Sequence, residues 1–368
     1  MIRVLVVDDS ALMRKVLGQV LGAADDIEVG FARDGLEAIQ QLHAFRPDVV
    51  TLDVHMPNLD GLACLDRIMV ERPCRVVMVS SLTAAGAEVT LEAMQLGAVD
   101  FIPKPDGAIS LALDEFGPAL VDRVRAASRA RLRRTLRLTE RVRLRAQAGG
   151  MPRVREPERA LPEPVPLPVA TAKTARQPLA TVVLVGTSTG GPPALEALLS
   201  SLPADFPWPV LVAQHMPAAF TGPLSRRLDR LCPLRVIEVT HPVPLEPGTV
   251  YVGRGDADII VGMRPSGPVV MAAPSAAEYR WHPSVDRLVA SAMAHIEPAR
   301  LIGVLMTGMG NDGAGAMTQL LAEGGRTIAE AEESAVVWGM PGELVRAGGA
   351  EIVVPLESIA HQLLEWAA

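Results

Sequence analysis

Apolar and polar positions alternate along the chain in two successive α/β patterns. From residue 1 to about 116, short β-branched apolar runs at 2–7, 48–52, 76–79 and 99–102 are separated by segments of helical period, which predicts buried parallel strands joined by helices. That rhythm predicts a βα-repeating, doubly wound domain. Residues 119–148 then carry arginine densely, from Arg123 to Arg145, with Leu132, Leu136 and Val142 among them, and read as a basic, solvated amphipathic helix. Residues 151–178 are rich in Pro, Ala and charge, with Pro162, Pro164, Pro166 and Pro168 on alternate positions, so they sustain neither a helix nor a sheet ladder and read as a linker. A second pattern follows. It has strands at 182–186, 210–214, 250–252, 301–306, 326–329 and 351–354, a hairpin near 259–271, and helices after Gly191, at 224–231 and after Ser284. The two halves share no internal repeat. The expected division is 1–118, a basic helix and Pro-rich linker over 119–180, and 181–368.

A length of 368 residues suits two domains, each able to bury its own core. With 49% hydrophobic and 21% charged residues the composition is that of a globular protein, and a net charge of -7 argues against wholesale nucleic-acid binding. Three cysteines, Cys64, Cys74 and Cys232, have neither disulfide-framework nor zinc-site spacing, so a reducing cytoplasm is expected. Arg3 and the acidic pair Asp8-Asp9 break the N-terminal apolar run, which excludes a secretory signal there. No apolar stretch approaches the roughly 20 residues of a membrane span, so no membrane insertion is expected.

In the first half, Asp8 and Asp9 lie at the carboxyl end of the first strand and Asp53 ends a later strand of the same sheet, so three carboxylates converge where such folds bind ligands. Crowded carboxylates repel unless a cation joins them. Mg2+ suits an all-oxygen site and would neutralise a phosphoryl group arriving on a carboxylate. Lys104 supplies a second positive charge, and Ser80 a hydroxyl, at the ends of neighbouring strands. Taken singly, each aspartate also reads as a turn residue or helix cap. Together with Asp53-Val54-His55-Met56-Pro57 and Asp60-Gly61, these residues resemble the receiver domain of bacterial response regulators over nearly all of 1–116. The resemblance implies that Asp53 accepts phosphate from a histidine kinase. It also implies that Asp8, Asp9, Asp53 and the backbone carbonyl of His55 hold Mg2+, and that Ser80 and Lys104 sense the phosphoryl group. His55 stands where relatives often carry Glu or Asn.

In the second half, Gly186-Thr187-Ser188-Thr189-Gly190-Gly191 follows an apolar strand and opens a helix whose Pro192 and Pro193 fit a first turn. Such a turn exposes a serine beside helix N–H groups that can stabilise an oxyanion, and equally suits the cradling of a phosphate. His215 ends another strand, and Asp312 lies in the glycine-rich exit Thr307–Gly313 of a third. Their order along the chain, Ser188, His215, Asp312, differs from that of α/β-hydrolases, in which the acid precedes the histidine. These motifs, with Gln214–Pro217 and His282–Asp286, resemble the catalytic domain of the chemotaxis protein-glutamate methylesterases, the CheB family, from about residue 181 almost to the C-terminus.

The resemblance implies a Rossmann-like, mostly parallel α/β esterase domain with Ser188 as nucleophile, His215 as general base and acid, and Asp312 orienting the imidazole. Backbone donors at Thr189 and Met309 would bind the oxyanion, and the esterase would need no cofactor. It further implies a phosphorylation-activated enzyme that hydrolyses glutamate 5-O-methyl esters on chemoreceptors and deamidates receptor glutamines. The expected partners are methylated chemoreceptor cytoplasmic domains and a chemotaxis histidine kinase. A monomer is expected, cytoplasmic and recruited to receptor arrays. Two rival readings use the same residues. One makes the second half a nucleotide- or phosphate-binding module, against which stands the lack of a P-loop lysine. The other makes the basic helix a DNA-binding output, against which stands the acidic total charge.

Overall fold

The structure, a computed structural model, describes residues 1–105, 109–132 and 181–368. In the first half, strands β1 (Ile2–Val7), β2 (Ile27–Ala32), β3 (Val49–Asp53), β4 (Arg75–Ser80) and β5 (Asp100–Pro103) form a sheet of order β2-β1-β3-β4-β5, with every pairing parallel. Helices α1 (Ala11–Gly22), α2 (Gly35–Ala44), α3 (Gly61–Glu71), α4 (Ala84–Leu96) and α5 (Ile109–Arg129) connect and flank the strands. Because both faces are covered, the strands are apolar throughout: Val4, Leu5 and Val6 of β1 and Val49, Val50 and Leu52 of β3 are fully buried. Ser10, Asp34, Asp60 and Thr83 cap α1 to α4, each side chain accepting from an amide in the first turn.

The basic helix departs from expectation. Helix α5 begins at Ile109, so the boundary expected between 118 and 119 falls inside it. Its Leu120, Val124 and Ala127 are fully buried against Val4, Val6 and Val77 of the sheet, at spacings of four and three that make one helical face. It is a wall of the first core rather than a solvated extension. Two of its arginines are paired as well: Arg123 with Asp100 at 3.0 Å and Arg125 with Asp26 at 2.7 Å. The arginines from Arg133 onward and the Pro-rich linker lie outside the described residues.

The second half is built on a seven-stranded parallel sheet. Its strands are β6 (Val182–Thr187), β7 (Val210–Gln214), β8 (Arg235–Val239), β10 (Thr249–Gly253), β13 (Leu301–Leu305), β14 (Arg326–Glu330) and β15 (Ile352–Val354), in the order β15-β14-β13-β6-β7-β10-β8. A small antiparallel sheet of order β11-β12-β9 joins β9 (Val243–Pro244) to the expected hairpin, β11 (Ala257–Arg264) and β12 (Gly267–Pro274). Helices α6 (Gly191–Ser200), α7 (Ala218–Leu231), α8 (Val285–Met293), α9 (Ala314–Ala322), α10 (Met340–Arg346) and α11 (Leu356–Ala367) complete the fold. Strand order places β13, β6 and β7 side by side. The residues leaving their carboxyl ends, which include Asp312, Ser188 and His215, therefore share one rim.

The halves pack on each other through α4, which lies against α6 and α7. Leu91 and Met94 of α4 belong to the same buried apolar cluster as Leu198 and Phe220 of the second half. Phe101 of β5 meets the ring of Phe220 with centroids 4.4 Å apart. Polar contacts frame this patch: Gln95 donates to Glu196 at 2.7 Å, and Arg131 pairs with Glu332 at 2.9 Å. Among the described residues no helix is long and apolar enough to cross a membrane.

Candidate active site

The acidic pocket of the first half forms as its strand ends require. Asp8 follows β1, Asp53 is the last residue of β3, and Lys104 follows β5, with its ammonium 2.9 Å from Asp8 Oδ2 and 2.9 Å from Asp53 Oδ2. Burial pushes the Asp53 carboxyl above its ordinary value; the Lys104 bond and charge oppose this without cancelling it, and the Asp8 charge adds to it. Burial would lower Lys104, but its bonds to Asp53 and Asp8 hold it above the ordinary lysine value.

Ligand oxygens of Asp8, Asp9 and Asp53 all lie within 4.8 Å of one another, and among the described residues buried Asp8 Oδ2 is met by the Lys104 ion pair alone. A hard, oxygen-seeking cation fits that donor set. The His55 side chain is exposed, while its amide donates to Asp53 Oδ1 at 3.4 Å. Ser80 is buried, and its hydroxyl donates to Gly86 O at 3.3 Å and Ser81 O at 3.4 Å, so it is turned to the start of α4 rather than to Asp53.

In the second half, the strand ends are laced together by hydrogen bonds. The Ser188 amide donates to Thr307 O at 3.0 Å, and the His215 amide to Thr187 O at 3.1 Å. Gln214 Nε2 donates to both Ser188 O and His215 O at 3.0 Å. The turn after Ser188 requires glycine: Gly190 has φ +76°, and a Cβ there would stand 2.7 Å from Val336 Cβ. A Cβ on Gly308 would stand 2.8 Å from Ser188 Cβ, so the loop after β13 presses directly on the serine.

His215 Nε2 is 2.8 Å from Asp312 Oδ2, with both side chains nearly buried. Asp312 also accepts from Ser284 Oγ at 3.1 Å, the Val285 amide at 2.7 Å and the Asp286 amide at 3.0 Å. Burial alone would raise its pKa, but the His215 bond and charge and these amides outweigh burial and hold the carboxyl below its ordinary value. Its neighbour Asp286 is pushed the other way, by burial first and then by the Asp312 charge, although the Ala316 amide bonds it. With Nε2 committed to Asp312, His215 Nδ1 remains buried and without a hydrogen-bond partner among the described residues. The amides of Thr189 and Met309 likewise make no hydrogen bond among the described residues, which leaves both free to donate. The Thr189 hydroxyl is engaged, donating to Asp100 Oδ2 of the first half at 2.6 Å.

Sequence reasoning passed over two features of this site. The first is Asp258 on β11, fully buried, which accepts from the Ser284 amide at 2.7 Å and from Arg287 at 2.6 Å and lies 2.9 Å from His282 Nδ1. It anchors the His282–Asp286 segment that holds Asp312; no pattern around Asp258 marks it, because it reaches the site only through the hairpin. The second is Trp281, whose indole lies over the His215 ring with the planes 4° apart.

Comparison with known proteins shows the family of the chain. The family model described as CheB methylesterase matches residues 183–363, and that of the response regulator receiver domain matches 4–112. The chain is 56% identical to the protein-glutamate methylesterase/protein-glutamine glutaminase 2 of Rhodopseudomonas palustris, covering 100% of this chain and 98% of that protein. It is 52% identical to the corresponding enzyme 3 of Rhodospirillum rubrum, covering 100% and 96%. Among solved structures, the Thermotoga maritima CheB methylesterase catalytic domain is 35% identical, covers 51% of this chain and 98% of its own, and superposes with a TM-score of 0.49. The chain, a receiver domain followed by a parallel α/β catalytic half, belongs to the CheB methylesterase family.

Proposed function

We propose that this protein is a phosphorylation-activated serine esterase that removes the methyl group from glutamate 5-O-methyl esters of chemoreceptors and also deamidates receptor glutamines, serving adaptation in chemotaxis. The observation that carries the reading is the His215–Asp312 bond at 2.8 Å between residues that follow the two strands flanking the strand that leads to Ser188. In this reading the receiver runs from residue 1 through the end of α5 at Arg129, later than the expected boundary at 118, and 181–368 is the esterase.

Asp312, held ionised by its donors, fixes the imidazole and stabilises its cationic form. His215 Nδ1 takes the proton of Ser188 as Oγ attacks the ester carbonyl, and the amides of Thr189 and Met309 donate to the oxyanion. The tetrahedral adduct expels methanol, whose oxygen receives the proton from His215. Water, deprotonated by the same nitrogen, then cleaves the glutamyl ester of Ser188 and restores the free serine. A glutamine side chain follows the same course with ammonia leaving in place of methanol.

Asp53 accepts the phosphoryl group from a histidine kinase. Asp8, Asp9, Asp53 and the His55 carbonyl would hold Mg2+, which when bound offsets charge on the phosphoryl oxygens. Lys104 supports the same charge from the other side. Ser80, now bonded to Gly86 O, reads the phosphoryl group by turning its hydroxyl toward it. That change is felt at α4 and β5, the elements that pack on the esterase half. The protein acts as a cytoplasmic monomer at receptor arrays.

Methanol release from methylated receptor membranes by the full chain and by Ser188→Ala tests the reading. Release that depends on Ser188 is expected. No release under any condition, together with tight binding of a nucleotide, would replace it with a binding-module function.

A further inference from the structure

Residues 281–286 touch both partners of the His215–Asp312 pair. At the end of the segment, Ser284 Oγ and the amides of Val285 and Asp286 donate to Asp312. At its start, the Trp281 indole is stacked on the His215 imidazole, with the planes 4° apart and the centroids 5.8 Å apart. Between them, Asp258 fixes His282 and the Ser284 amide. The six-membered ring of the indole also lies against Gly310, where φ is +91° and a Cβ would stand 2.8 Å from Trp281 Cζ2. Gly310 lies in the same loop as Met309 and Asp312. The indole thus touches both the loop that carries the carboxylate and the ring that the carboxylate bonds.

The hydrogen bond to Asp312 fixes one atom of the imidazole but not the plane of the ring. A ring tethered at Nε2 alone can roll about the line of that bond and swing Nδ1 away from the serine. A flat aromatic face parallel to the imidazole removes this freedom, since offset stacking at this separation is a favoured arrangement. The same π-face attracts the imidazolium that acyl transfer creates.

We propose that Trp281 is a positioning residue of the esterase, holding the His215 ring in the plane that presents Nδ1 to Ser188. The proposal rests on the esterase reading. Loss of the stack lowers turnover, because a slightly misplaced general base is costly, and leaves substrate capture nearly intact. Arg280, whose guanidinium is 5.2 Å from the indole centroid and 3.4 Å from Asp122 of α5, borders the stack without being part of it.

The test compares the full chain with Trp281→Phe, Trp281→Leu and Trp281→Ala, each saturated with phosphodonor and Mg2+, for methanol release and for the downfield imidazole proton resonance of the His215–Asp312 bond. Trp281→Leu and Trp281→Ala are expected to lose kcat by about 10- to 100-fold with KM within about twofold of wild type, and to broaden or lose the resonance. Trp281→Phe is expected to restore both in large part. If Trp281→Ala fails to fold, Trp281→Leu, which fills much of the volume without an aromatic face, decides the matter. Wild-type kcat and an unmoved resonance in Trp281→Leu would overturn the proposal. Absence of methanol release by wild type would instead overturn the esterase reading, and the resonance would still report on the stack.

Discussion

Thr189, the residue after the proposed nucleophile, gives its hydroxyl to Asp100 Oδ2 at 2.6 Å across the boundary between the two halves. Asp100 is buried at the start of β5, and its other oxygen is held by Arg123 and by the Phe101 amide. The receiver thus places a carboxylate against the turn whose amide is proposed to bind the oxyanion. In the esterase reading, negative charge there, partly offset by Arg123, opposes the charge that acyl transfer would develop.

In the phosphorylation-activated reading the docked receiver restrains the esterase until Asp53 is phosphorylated, so breaking this contact is expected to relieve that restraint. A hydrogen bond to a charged group is worth about 1.5–3 kcal/mol, roughly a tenfold shift or more in the docking equilibrium. Asp100→Ala or Thr189→Val is expected to raise phosphodonor-free methanol release severalfold and to shrink the further gain from phosphodonor. Unchanged basal release in both variants would assign the inhibition to steric cover alone.

The adjacent carboxyls Asp312 and Asp286 are driven in opposite directions, so neutralising them is expected to have unequal effects. Asp312→Asn is expected to cost on the order of 10^4-fold in kcat, because the amide stabilises the wrong imidazole tautomer. Asp286→Asn is expected to cost at most about tenfold, the scale of one pKa unit. Initial rates of methanol release for the two variants check this.

The same direction sets a stability profile. Asp312 has a folded-state pKa below its ordinary value of 3.8, so its contribution is present above that value and is lost as pH falls through the folded one. Denaturant midpoints measured downward from pH 6 are expected to fall more steeply for wild type than for Asp312→Asn in the acid range.

Gly308 presses on Ser188 with no room for a methyl group. Overpacking of this kind costs about 1–3 kcal/mol. Gly308→Ala is expected to lower both the melting temperature and kcat, with kcat down by about tenfold or more, as calorimetry and methanol release would show.

Lys104 is the cation between Asp8 and Asp53. Its removal leaves buried carboxylates that a divalent ion can compensate. Mg2+ is expected to raise the melting temperature of Lys104→Met by more than that of wild type, while phosphodonor no longer stimulates the variant.

Much of this was legible in the sequence because parallel strands buried on both faces read as continuous apolar runs. That is how β1, β3, β4, β6, β7 and β13 were placed, and the residues that leave such strands mark the rim where ligands bind. Strands β2 and β8 were missed since Glu28 and Gly30 in one, and Arg235 and Glu238 in the other, interrupt the run at the edges of their sheets. Helix α5 was misread because its arginines obscured the face made by Leu120, Val124 and Ala127. The contacts Asp100–Thr189, Asp258–Ser284 and Trp281–His215 join residues 89, 26 and 66 positions apart and follow from tertiary packing, to which local pattern is blind.

The measurement that bears most directly on the coupling of the two halves is methanol release from methylated receptor membranes with a small-molecule phosphodonor and Mg2+, compared among wild type, Asp53→Asn and Ser188→Ala. Wild type is expected to be stimulated, Asp53→Asn to stay at the basal rate with or without phosphodonor, and Ser188→Ala to release none. Equal stimulation of wild type and Asp53→Asn, or release by Ser188→Ala at the wild-type rate, would contradict the account.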